Sequence, residues 1–209
     1  IEMSFVDQDS VMSKMEALMR FVFKKVMDIA LPDEFPRMSY AEAMHRFGSD
    51  KPDLRIPMEL IDISDLMTNV EFKVFSGPAQ DKEGRVAALK IPQGSKLSRK
   101  EIDDYTKFVG RYGAKGLAYI KAEDISKKKE GLQSPILKFL PDTVVDELIQ
   151  KLSIENGDIV FFGADKSNIV NDSLGALRVK IGEDFGFIEK GWRPLWVVDF
   201  PMFEKDKNS

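Results

Sequence analysis

Apolar residues recur at three- and four-residue intervals along several stretches of this chain and at two-residue intervals along others. The switches between those periods mark out its elements. Val11, Met15, Leu18, Val22, Val26 and Ile29 keep helical spacing for about five turns until Pro32 ends the pattern. The methionines of this stretch read most simply as core, because methionine fills irregular apolar gaps wherever it occurs; a cofactor-binding face is the lesser reading. Ser39 with Glu42 has capping-box spacing and opens a short helix over 40–47 that Gly48 can close. Ser98 with Glu101 repeats the signal. There Ile102, Tyr105, Phe108 and Val109 fall on one helical face, and Lys100, Asp103, Asp104 and Lys107 on the other. Gly113 suits the left-handed residue that closes that helix, and a strand over 117–120 follows. Asp142 or Thr143 caps a helix facing inward with Val144, Val145, Leu148, Ile149 and Leu152, and Asp165 caps another with Val170, Leu174, Leu177 and Ile181.

Period two governs the rest. Ile1, Met3 and Phe5 alternate with Glu2 and Ser4, as if a strand began before the first residue. EFKVFS (71–76) and GRVAALKI (84–91) read as two strands of a long-looped hairpin. The continuous apolar run at 159–162 fits a central strand, and QSPILKFL (133–140), with its proline, an edge strand or extended connection. In RPLWVVDFPMFE (193–204) a strand places Val197 and Asp199 on one face and Val198 and Phe200 on the other. From residue 71 the order is strand, strand, helix, strand, edge strand, helix, strand, helix, which predicts an α+β fold, a two-layer sandwich of helices on a sheet.

Composition narrows the chemistry. The 209 residues include no cysteine and a single histidine, so disulfides and a Cys/His zinc site are excluded. No phosphate loop, dinucleotide fingerprint, nucleophile elbow or HExxH motif occurs, no apolar run reaches the length of a membrane helix, and a reducing cytoplasm is the expected setting. His45 reads as a surface or partly buried residue. The formal charge is -4, yet residues 85–129 carry twelve Lys/Arg against five Asp/Glu, hence +7, which leaves -11 for the remainder. Such asymmetry suits a basic face toward a phosphate backbone as well as a solvated surface. GSDKPDLR (48–55) is too dense in charge for a core; it reads as a hydrated loop with local ion pairs or as a ligand-facing or interface loop. Asp199 reads either as a strand-end carboxylate accepting backbone amides before Pro201 or as a ligand-facing group.

Taken in order, IEMSF, RFGSDKPDLR, VFSGPA, GRVAAL, YGAKGLAYIK, SPILKFL, GDIVFFGAD, GALR and PLWVVDFPMFE resemble the bacterial-type aspartyl-tRNA synthetases, a class II family, over nearly the whole chain. The resemblance implies three parts. Residues 1–68 would be a partial class II catalytic domain, 69–190 the GAD insertion with a DCoH-like two-layer sandwich, and 191–209 the return strand of an antiparallel catalytic sheet. It implies an aspartate–tRNA ligase as parent, a cytoplasmic homodimer using ATP, Mg²⁺, L-aspartate and tRNA. The motif-2 arginine, the metal-binding acids and the motif-3 arginine would lie outside these residues. The fragment itself is therefore expected to be inactive and monomeric, with no catalytic residue, metal or cofactor of its own and at most weak tRNA binding. Glu2, Ser4 and Asp199 match substrate-side positions; Asp50, Lys51, Asp53 and Arg55 become loop candidates. Lys96, Arg99, Lys100, Arg111 and Lys115 are the candidates to face tRNA. The alternative is a non-catalytic tRNA-binding module like that of an archaeal tRNA-dependent amidotransferase.

Overall fold

The computed structural model describes residues 1–203; the charged tail over 205–209 lies outside the described residues. Helix α1 (Gln8–Met27) starts where the Asp7 carboxylate accepts the Ser10 amide at 2.8 Å and stops at Asp28, whose left-handed backbone caps it. Then follow β1 (Arg37–Ser39), α2 (Tyr40–Phe47), β2 (Leu60–Asp62), α3 (Ser64–Met67), α4 (Lys73–Gln80), β3 (Gly84–Ile91), α5 (Arg99–Gly110), β4 (Ala118–Ala122), β5 (Leu132–Gln133), α6 (Asp142–Lys151), β6 (Ile159–Lys166), α7 (Ser167–Asp184) and β7 (Trp196–Val198).

Five strands form one antiparallel sheet in the order β2-β3-β6-β4-β5, with Gly84 opposite Lys166 and Ile91 opposite Ile159 along its longest pair. Side chains alternate across it, so Val86, Ala88, Val160 and Phe162 pack under α3, α4 and α6, while Ala87, Leu89, Ile91, Ile159 and Phe161 pack under α5 and α7. The α+β sandwich expected from the element order is present, and helices cover both of its faces. Burial on both sides is why VAAL and IVFF are continuously apolar instead of alternating. Ile56, Met58 and Leu60 join this core, and β2 supplies its edge strand from upstream of the boundary expected at 68/69.

Four local expectations are corrected. EFKVFS is not a strand but leads into α4. Phe72 and Phe75 are three apart, the Phe72 carbonyl accepts the amides of Phe75 and Ser76, and Phe75 is buried against Phe162. QSPILKFL supplies the edge strand only through Gln133, the last residue of β5, and then forms a single 3₁₀ turn at Leu137–Phe139. Neither Asp142 nor Asp165 caps its helix: the cap positions are Pro141 and Lys166. Half of the α1 face expected as core points to solvent, with Leu18 43%, Val22 39% and Val26 75% exposed, while Val11, Met15 and Ile29 are half-buried. Only Met12 and Glu16 of that helix are buried, because the chain packs against its other side.

The flanks meet each other. β1 and β7 pair in parallel, Arg37 opposite Trp196 and Ser39 opposite Val198, whereas the resemblance implies pieces of an antiparallel sheet. So long an excursion between two strands lets them run in either sense. Trp196 Nε1 donates to Glu16 at 2.8 Å, which ties α1 to this pair, and Met38, Ala43 and Phe47 form a small core beneath it. Ile1, Met3 and Phe5 are exposed and belong to no strand.

Candidate functional site

Two regions carry concentrated polar chemistry. The first is the 48–55 loop, held where α2, β2 and α7 converge. Gly48 closes α2 at φ +66°, and a Cβ there would lie 2.4 Å from the Asn171 carbonyl oxygen. Gly175 is as tightly placed, with the Phe47 and Gly48 carbonyls 2.9 Å from where its Cβ would be. These two glycines let α7 lie against the loop, and Arg178, one helical turn further on, pins it. Its guanidinium donates to the carbonyls of Asp53 at 2.9 Å, Ile56 at 2.7 Å and Met58, over the Phe47 ring. Burial pulls the Arg178 guanidinium down to about 10, so it stays charged at neutral pH.

Within the loop the four candidates separate. Asp53 accepts three bonds from the Arg55 guanidinium, at 2.9, 3.2 and 2.7 Å, and one from its amide at 3.0 Å. The Arg55 guanidinium therefore holds the Asp53 carboxyl below the usual carboxylate range. These two shape the turn. Asp50 and Lys51 are exposed, and their side chains have no hydrogen bond or ion pair among the described residues, which leaves them at the loop tip for contact with something else. Beside the loop Arg46 grips Glu59 with both ends of its fork, and Arg85, 5% exposed, joins Asp62 at 3.0 Å to Asn171 and to the carbonyl of His45. His45 itself is a surface residue.

The second region is an open groove of about 810 Å³ between α5 and α7. The capping box at its start is complete, with Glu101 accepting the Ser98 amide at 2.7 Å and the Ser98 hydroxyl accepting the Glu101 amide at 3.3 Å. Lys96, Arg111 and Lys180 line the groove with Glu101, Asp104 and Asp184, and Tyr105, Phe108 and Phe185 supply its apolar floor. The Tyr105 hydroxyl donates to Asp184 at 2.8 Å. Burial opposes the charge of Asp184, yet Lys180 and this hydroxyl hold its carboxyl below the usual range, while burial and the same neighbour raise the Tyr105 phenol. Lys96 lies over the Phe185 ring at 5.6 Å.

Of the five basic candidates the structure therefore brings Lys96 and Arg111 together in one groove. Arg99 lines a separate depression with Tyr119 and Lys121, and Lys100 is exposed on α5 and lines neither. Lys115 lies at the far end, 3.3 Å from Asp165. Glu2, Ser4 and Asp199 are exposed and are not joined to one another by any hydrogen bond among the described residues. Among the described residues the Asp199 carboxylate accepts no backbone amide, so the strand-end reading finds no support there, and the chain turns at Asp199 with φ +58°. Sequence reasoning passed over Arg178 and Arg85. The signal for Arg178 was available, since it stands among Leu174, Leu177 and Ile181 on the core-facing stripe of α7, where a charge needs a partner. Lys180 and Asp184 were also missed, because nothing in the sequence places α7 beside α5.

Among the described residues no group of three or more His, Cys, Asp or Glu is placed to hold a metal ion. Among the described residues no helix is long and apolar enough to cross a membrane. Residues 75–174 match the family model of the GAD domain, a module associated with aminoacyl-tRNA synthetases. The match begins in α4, spans the sheet from β3 to β6 and ends in α7 just before Gly175 and Arg178, so the pinned loop and the flanks lie outside it.

Proposed function

We propose that this chain is the GAD-bearing part of a class II aspartate–tRNA ligase, which activates aspartate with ATP and Mg²⁺ and transfers it to the 3′ end of tRNA. The observation that carries the reading is the position of the GAD match in the chain. It lies between two flanks that return to each other as β1 and β7, the arrangement expected of a module inserted into another domain. The same pairing favours a synthetase over a free-standing tRNA-binding module. Aspartate activation and the metal belong to residues beyond the two regions above, which supply no ligand set for it. Within this part the pinned 48–55 loop fixes the insertion against the catalytic flank, and Asp50 and Lys51 face the substrate side. The Lys96, Arg111 and Lys180 groove makes loose phosphate contacts with tRNA. The interleaved Glu101, Asp104 and Asp184 keep those contacts weak, since they repel the phosphates that the cations attract.

The test is a chimera in which these residues replace the corresponding segment of an aspartate–tRNA ligase. Aspartylation of tRNA should persist in the soluble chimera and fall with Lys51→Ala. A folded chimera without aspartylation, or one indifferent to both Asp50→Ala and Lys51→Ala, overturns the reading. The chain alone should give no aspartate-dependent exchange of pyrophosphate into ATP.

A further inference from the structure

The sheet splits at one end. In β6 the amides and carbonyls of odd-numbered residues face β3, as the Ser167 amide donating to Glu83 continues that ladder, and those of even-numbered residues face β4, as Asp158 accepts from the Ala122 amide. Ala118 opposite Phe162 is the last pair on the β4 side. By the same register Ala164 would face Gly116, but β4 begins only at Ala118, and the chain before it turns away through Gly113 at φ +92°. The amide and carbonyl of Ala164 are thus left without a strand partner on that edge.

A cleft of about 550 Å³ opens at this point. Phe72, Phe75 and Phe162 line it from one side of the sheet and Leu117, Ile169 and Leu174 from the other. Three charged groups stand on its lining. Both Asp165 oxygens are engaged, one by the Lys166 amide at 2.8 Å and one by Lys115 at 3.3 Å, whereas Lys73 is exposed and makes no ion pair among the described residues. An unpaired strand edge with an apolar cleft beside it is the geometry of strand addition, and Lys73 adds an unmatched cation to the lining.

We propose that this split receives an extended peptide segment of a partner protein as an added strand. The peptide exchanges two backbone hydrogen bonds with Ala164, places one large apolar side chain in the cleft and sets an acidic residue against Lys73. The main-chain bonds supply affinity, and the cleft, walled by aromatic rings, selects the side chain that faces into it. This inference stands apart from the tRNA reading, since the cleft shares no lining residue with the α5/α7 groove.

The probe is the blocked pentapeptide Glu-Val-Phe-Val-Glu, titrated into the ¹⁵N-labelled chain. Amide resonances of Gly163, Ala164, Asp165 and Gly116 should shift together and saturate. N-methylation of the central Phe, which removes one of the two Ala164 bonds, should weaken binding about tenfold. Gly116→Trp should weaken it at least as much with the melting temperature unchanged, because a Cβ at Gly116 meets nothing within 4 Å and the ring can occupy the cleft. Lys73→Glu should reverse the preference for Glu-flanked over Lys-flanked peptide. No shift at millimolar peptide overturns the proposal, as does equal binding of the N-methylated peptide. It is also overturned if these amides answer to tRNA and not to peptide, or shift with protein concentration alone because a second copy of the chain fills the split.

Discussion

Arg178 is 1% exposed in the middle of an apolar stripe and gives its guanidinium to three backbone carbonyls of one loop. Replacing it by methionine keeps the volume but leaves three acceptors without a donor, which should destabilise the chain by about 3–5 kcal/mol in urea unfolding. Arg178→Lys should fall between, since one ammonium cannot span the three carbonyls in the way a planar fork does. A loss under about 1 kcal/mol for methionine would mean the loop is held elsewhere. Asp62 gives a second prediction, in acid. Burial opposes its charge, but the Ser64 amide and hydroxyl and the Arg85 guanidinium hold its carboxyl below the ordinary value. A carboxyl lowered by folding stabilises above its unfolded pKa, near 3.9, and that contribution is lost as pH falls through the lower folded value. Stability should therefore decline from about pH 4 downward, and Asp62→Asn should be less stable at pH 7 and decline less steeply in acid. Parallel curves for the two proteins would remove Asp62 from the acid response.

At the scale of elements, α5 was largely legible. Its capping box and the inward Ile102, Tyr105 and Val109 are local features and occur as read, whereas Phe108 is only half-buried and the helix already ends at Gly110, with Arg111 and not Gly113 at its cap. Ser98→Ala should cost about 1 kcal/mol in thermal or urea unfolding, the usual worth of an N-cap hydroxyl, and Ser98→Asp should restore most of it. An unchanged midpoint would assign the helix start to its packing on Phe161 and Ile181 alone. α4 was illegible for the opposite reason. EFKVFS satisfies period two and period three at once over so short a window, and what selects the helix is Phe75 reaching Phe162 across the sheet.

Across the whole molecule, one sheet with two cores occupies the stretch from Ile56 to α7, while α1 rests on the β1/β7 pair with half of its long apolar side uncovered. Limited proteolysis should thus cut first within residues 1–35 and leave a resistant core that begins ahead of Ile56, not at Glu71, because β2 is hydrogen-bonded into the sheet. N-terminal sequencing of the resistant band checks the start. A core that starts after β2 would show that the edge strand is not part of the cooperative unit.

The sequence by itself determined what depends on neighbours within about two turns. That includes the helices with caps or clear periodicity, the central strands, the α+β class, and the dense charge of the 48–55 loop as something other than core. Only the tertiary structure decided which of that loop's charges are structural. Asp53 and Arg55 shape the turn beneath a residue 125 positions away, and Asp50 and Lys51 are left at the tip. It also decided that the basic stretch is divided among separate surfaces, that acids from α7 face Lys96, and that β4 parts from β6 after Phe162 although β6 runs on to Lys166. The physical reason is the same throughout. A charge or a backbone amide acquires its role from whatever meets it across the fold, and no periodicity along the chain records that partner.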